Sequence, residues 1–157
     1  MILDGLEVTR MGRFIALVPI GDQSELAVLA AMTVKDLDPF RAPPSAEELA
    51  KRRPKLSPAQ ERNLAAWGHP YVMDQFRFHI TLTGRIKGDI MPAMNAVRSH
   101  FAPCLEKPFE VNSLTLAGQD ASGFFHAIMR CSLGTEKAEN IDNQINAMRR
   151  VFKTIKM

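Results

Sequence analysis

Residues 75–84, Gln-Phe-Arg-Phe-His-Ile-Thr-Leu-Thr-Gly, alternate polar and apolar side chains without a break as far as Thr83. Successive side chains of a β-strand point to opposite faces, so the run predicts a strand with two chemically different sides. Phe76, Phe78, Ile80 and Leu82 share one face, which a core must cover. Arg77, His79, Thr81 and Thr83 share the other, with alternate positions about 7 Å apart. An imidazole beside hydroxyls and a guanidinium is a set suited to phosphate, because the imidazole exchanges protons near neutral pH while Thr and Arg donate hydrogen bonds to phosphoryl oxygens. An ordinary solvated face of an antiparallel sheet is the competing reading, since threonine is common there.

The rest of the chain supplies elements to pack around that strand. Residues 6–8 predict a short strand, and residues 13–20, Arg-Phe-Ile-Ala-Leu-Val-Pro-Ile, a central one ended by Pro19 and Gly21. Leu26, Leu29, Ala30, Val34 and Leu37 recur at helical spacing over residues 24–37, with Asp22 or Ser24 as N-cap. Strand, helix and later strand predict a βαβ-like opening. Residues 39–73 read as a helical insertion with two capped starts, Ser45 before Ala-Glu-Glu-Leu and Ser57-Pro58 before Ala-Gln-Glu. Gly68 and Pro70 stop the second of these helices. Residues 89–101 predict a helix that buries Ile90, Met94, Val97 and Phe101. Residues 109–117 and 124–132 predict two strands joined by a 118–123 turn, and residues 135–155 a final helix on Ile141, Ile145, Met148, Val151, Phe152 and Ile155. The order predicts an α+β fold, a small, mostly antiparallel sheet with helices on one face and the other face free.

Composition limits the function classes. A chain of 157 residues is the size of one domain, so residues 1–157 read as a single domain. With 46% apolar and 24% charged residues it matches globular averages rather than disorder or a fibrous repeat. Twenty Lys and Arg stand against 17 Asp and Glu, and the basic runs around Arg52-Arg53 and Arg149-Arg150 read as solvated helix faces. That mild balance argues against nucleic acid as a partner, except for an RNA end. Cys104 and Cys131 have no ligand or redox spacing, and the acidic start Met-Ile-Leu-Asp-Gly-Leu-Glu does not resemble a signal peptide, so a reducing cytoplasm is the expected compartment. No apolar stretch approaches the ~18 residues of a membrane span.

His79-Ile80-Thr81-Leu82 resembles the His-x-Thr-x motif of the two-histidine (2H) phosphoesterase superfamily. The longer run from Trp67-Gly68-His69-Pro70-Tyr71 through Thr83-Gly84 resembles one branch, the domain of unknown function 1045 family, whose members are often encoded with phosphonate-metabolism genes. Asp38-Pro39-Phe40-Arg41-Ala42-Pro43, Leu56-Ser57-Pro58-Ala59-Gln60-Glu61 and His100-Phe101-Ala102-Pro103 resemble that family's segments too. The resemblance implies two α+β lobes, each giving one His-x-Thr or His-x-Ser strand to a central cleft. Two histidines would act there as general base and general acid, two hydroxyls would hold the phosphate, and no metal or cofactor would be needed. It assigns His79 to acid-base work and Thr81 to phosphate, and implies that residues 1–20 correspond to the end of an N-terminal lobe, the chain representing the C-terminal one.

Only one such motif is present. His126, in Phe-Phe-His-Ala-Ile, has no hydroxyl two residues on; His69 fits a turn, and His100 a helix end. Arg77 and Thr83 join the candidate site from strand geometry, Tyr71 as a stacking surface, Arg41 as a loop cation and His126 in reserve beside Arg130. Three readings stay open: a cyclic phosphodiesterase on a small ribose or nucleoside phosphate, a binder of a phosphorylated ligand or RNA end without turnover, and a shortened relative without activity. A homodimer would bring a second His79 across a twofold axis.

Overall fold

The computed structural model describes residues 1–52, 56–105, 107–134, 146 and 150. The helix expected over 135–155 lies outside the described residues. The remaining elements confirm an α+β chain with antiparallel pairing throughout, distributed over three small sheets among the described residues. The chain forms two compact units, the first comprising residues 1–27 and 77–111, the second residues 28–76 and 112 onward.

The first unit is built on β2 (Gly5–Met11) and β3 (Phe14–Ile20), a hairpin closed at Gly12, whose φ of 62° suits a residue without a side chain. β4 (Ile80–Thr81) adds to the other edge of β3, giving the order β2-β3-β4 with β3 central, as its unbroken apolar run predicts. β4 runs antiparallel to β3, so the opening is not a βαβ unit. Leu6, Val8, Ile15 and Leu17 alternate onto one face and pack with Ile90 and Met94 of helix α4 (Met91–Phe101) and its entry. Ile15 is completely buried. Phe78, Leu82, Ile86, Val97 and Phe101 close around that cluster. β1 (Ile2–Leu3) pairs separately with β5 (Phe109–Glu110).

The expected ten-residue strand is shorter than its alternation suggests. Regular pairing is limited to Ala16↔Thr81 and Leu17↔Ile80. Beyond it the Thr83 hydroxyl accepts the Ile15 N–H at 3.0 Å, in the place of a backbone carbonyl, while Leu82 N–H still reaches the Ile15 carbonyl at 2.8 Å. A side chain that takes over a ladder position ends the ladder. The alternation survives in space without regular pairing, since Phe78 and Leu82 pack on the core. Ile80 departs from it, remaining 40% exposed.

In the second unit, helix α2 (Ala46–Arg52) starts at the Ser45/Glu48 capping box, where each side chain binds the other's backbone N–H. Helix α3 (Pro58–Trp67) repeats the device with Ser57 and Gln60 and ends at Gly68 in the left-handed region. Its buried Asn63 donates to the Val72 carbonyl and to Asp74, and the latter bond holds the Asp74 carboxyl below the usual carboxylate range. Helix α1 (Ser24–Leu37) crosses the boundary between the units. The strand expected over 109–117 is divided: β5 belongs to the first unit, while β6 (Ser113–Gln119) and β7 (Phe125–Ser132) form a hairpin in the second.

Candidate functional site

The free face of the three-stranded sheet carries an open cavity of ≈ 860 Å³. Antiparallel neighbours that stand opposite one another share a face. Thr9 stands opposite Ala16, and Ala16 opposite Thr81, so one row of the sheet presents two hydroxyls with a buried alanine between them. Met11 and Phe14 form the next row, and Val18 the one beyond Ala16; all line the cavity. The opposite parity, Val8, Leu17 and Ile15, is consumed by the core. One strand pattern therefore produces both the hydrophobic layer and the cavity floor.

His79 and Arg77 lead into β4 and also line this cavity, so three of the residues singled out by alternation come together. The His79 ring is oriented from within its own segment, with Nδ1 lying 2.9 Å from the Arg77 carbonyl. A carbonyl oxygen can only accept, so Nδ1 carries the hydrogen and Nε2 is the nitrogen left for chemistry. Arg77, His79 and Thr81 are all exposed to solvent. Nε2 of the imidazole, the guanidinium and the Thr81 hydroxyl take no hydrogen bond from a described residue. The cavity thus gathers one imidazole, two guanidiniums, of Arg10 and Arg77, and two hydroxyls, groups able to bind a phosphoryl group and to move a proton beside it.

The other candidates stand elsewhere. Thr83 spends its oxygen on the Ile15 N–H. Arg41 is paired with Asp38, Nη2 at 2.8 Å and Nε at 2.9 Å from the same carboxylate oxygen. Tyr71 is 55% exposed and meets His69 edge-on at 5.9 Å between ring centres. His126 lies at the end of the β6–β7 hairpin with Nε2 2.7 Å from Asp120, and that bond is the main cause holding the Asp120 carboxyl below its ordinary value. None of these four is among the described residues that line the cavity. Sequence reasoning missed Thr9, Arg10, Met11 and Phe14; the signal for Thr9 and Met11 was the alternation of Glu7, Thr9 and Met11 on a strand expected to be only three residues long.

Among the described residues no three His, Cys, Asp or Glu side chains form a group able to hold a metal ion, and no helix is long and apolar enough to cross a membrane.

The chain is 34% identical over 129 residues to a protein of Janthinobacterium sp. (strain Marseille) named ribose 1,5-bisphosphate phosphokinase PhnN, a match covering 78% of this chain and 28% of that protein. It is 32% identical over 112 residues to the protein of the same name from Laribacter hongkongensis (strain HLHK9), covering 71% of this chain and 26% of the relative. The chain therefore spans only about a quarter of the length of these curated relatives. No solved structure matches it. Residues 1–126 match the family described as "Protein of unknown function (DUF1045)", and with that share of its length matched the chain belongs to the DUF1045 family.

Proposed function

We propose that this chain is a 2H phosphoesterase-like hydrolase that opens a small cyclic phosphodiester of a phosphorylated ribose without a metal, in a phosphonate-linked pathway. The observation that carries the reading is the convergence of Arg77, Thr81 and a His79 with its Nε2 available in one cavity on the free sheet face. Hydrolysis of a cyclic phosphodiester forms a bond from water oxygen to phosphorus and breaks the bond from phosphorus to one ring oxygen, giving a phosphomonoester. One group accepts the water proton and another donates a proton to the departing oxygen. His79 serves one of these transfers, while Arg77 and the Thr81 hydroxyl hold the charge that grows on the phosphoryl oxygens. The relatives' printed name supports a phosphorylated ribose as ligand class. It does not supply the reaction, because the chain matches about a quarter of those proteins.

The test is hydrolysis, in EDTA, of a panel of ribose 1,2-cyclic phosphates and 2′,3′-cyclic nucleotides. Turnover by the wild-type chain falls roughly 10²- to 10⁴-fold in His79→Ala, the usual size of a lost acid-base group. Turnover that is indifferent to His79→Ala sinks the reading.

A second reading, a phosphate-ligand binder without turnover, is favoured by one count: His79 is the sole histidine among the described residues lining the cavity. It predicts no hydrolysis and binding of the same compounds that weakens in Thr81→Ala. The homodimer, with a second His79 across a twofold axis, predicts a dimeric mass in solution and activity that is lost on dilution.

A further inference from the structure

β2 and β4 both run antiparallel to β3, so they run parallel to each other on either side of it. The register then aligns two tripeptides. Thr9, Ala16 and Thr81 form one row across the sheet. Glu7 stands opposite Val18, and extending the β3–β4 register by one residue beyond Leu17↔Ile80 sets Val18 beside His79. Glu7-Val8-Thr9 on β2 therefore faces His79-Ile80-Thr81 on β4 across a floor of Ala16 and Val18. Each tripeptide offers a proton-transfer group and, two residues on, a hydroxyl, and in each the middle residue turns to the other side of the sheet.

We infer that Glu7 and Thr9 are the second half of this site, Glu7 being the acid-base partner of His79 and Thr9 the second phosphate-holding hydroxyl. The inference rests on the phosphodiesterase reading above and answers its open point, the group that handles the other proton. Two strand spacings separate the flanking strands, about 9.5 Å. Acid and base that share a displacement with a water between them stand roughly 6.5 to 9.5 Å apart in inverting glycosidases, so the span suits a phosphate with a water on one side. The small floor matters as well, since Ala16 lifts no side chain between the two hydroxyls. Glu7 is exposed at the rim: it is not itself a lining residue, but Thr9 two positions on and its register partner Val18 both are. The Glu7 carboxylate accepts the Thr9 hydroxyl at 3.4 Å, a long bond between neighbours on one side of β2 that is easily exchanged for a ligand.

The roles follow from what each group can do. A carboxylate only accepts, so Glu7 takes the proton of the attacking water as its oxygen bonds to phosphorus. His79 enters this step as the imidazolium: its Nδ1 hydrogen stays on the Arg77 carbonyl, and its second proton passes from Nε2 to the ring oxygen as the phosphorus–oxygen bond breaks, leaving the neutral ring. Thr9 and Thr81 donate to the two non-bridging phosphoryl oxygens.

The deciding experiment measures kcat, KM and the pH profile on ribose and nucleoside cyclic phosphates for the wild-type chain, Glu7→Gln, Glu7→His, Thr9→Val and His79→Ala, with melting temperatures as a control on folding. The expected result is a bell-shaped profile for the wild type. Glu7→Gln should lose roughly 10²-fold or more in kcat and the acidic limb of the profile, with KM little changed. Glu7→His, which places an imidazole in each half, should recover turnover with a displaced acidic limb. Thr9→Val should mainly raise KM. If His79→Ala abolishes turnover while Glu7→Gln leaves kcat and the pH profile intact, Glu7 has no such role although the phosphodiesterase reading stands. A wild-type chain that turns over none of these compounds overturns both.

Discussion

At the residue scale, Thr81 and Thr83 sit two positions apart on one segment and do different work. Thr83 accepts the N–H of Ile15, the residue with no exposed surface at all, whereas the Thr81 hydroxyl faces the cavity. Removing a hydroxyl that satisfies a backbone donor leaves that donor unpaired, at a cost of about 1–3 kcal/mol. Thr83→Val should therefore lower the free energy of urea unfolding by that amount. Thr81→Val should leave it within about 0.5 kcal/mol, as expected of an exposed surface position, while phosphate-ligand binding weakens. Equal effects of the two substitutions on stability would contradict this division. His79 shows the same economy: the carbonyl that selects its tautomer comes from Arg77, another member of the site, so two positions of one alternation define ring and cation together.

At the element scale, helix punctuation was the most legible part of the sequence because it is local. Ser45 with Glu48, Ser57 with Gln60, and Gly68 all act where the residue types place them. Gly68 also has a neighbour that no local rule reveals, because a Cβ added there would run into the Arg41 guanidinium and the backbone φ is 69°. The guanidinium ends a flexible, exposed side chain that can move aside, so Gly68→Ala should cost the ~1 kcal/mol of left-handed strain, comparable with about 1 kcal/mol for Ser57→Ala. Both are measured as a lower urea midpoint at unchanged slope. Strand bounds were less legible for the opposite reason. Where β4 stops is decided by the Thr83 hydroxyl meeting Ile15, and where the predicted 109–117 strand divides is decided by β5 pairing with β1, at the far end of the chain. The half of the site on β4 could be read from its own alternation. The half on β2 depends on register through β3, which no window of sequence contains.

At the scale of the whole molecule, the cavity is a property of the first compact unit alone, drawn from residues 1–27 and 77–111. A ligand bound only by the folded state stabilises it by about 2.7 kcal/mol at a hundred times its Kd. In hydrogen-exchange mass spectrometry at saturating inorganic phosphate, slowed exchange should fall on residues 5–20 and 77–83, while residues 113–132 of the β6–β7 hairpin exchange as before. Protection confined to the hairpin would place the ligand elsewhere. The same discontinuity governs the order in which the site is assembled. The β2–β3 hairpin closes over a two-residue turn, on the scale of ~1–10 μs. Joining β4 to it brings together residues 68 positions apart, and chain-closure entropy makes that step about 3 kcal/mol more costly than closing a two-residue loop. Glu7 and Thr9 are thus set in place early, and His79 and Thr81 arrive on a surface already formed. During synthesis from the N-terminus the nascent chain carries half of the cavity lining through the whole production of the intervening helices, and the cavity is complete only when residues 77–81 have joined β3.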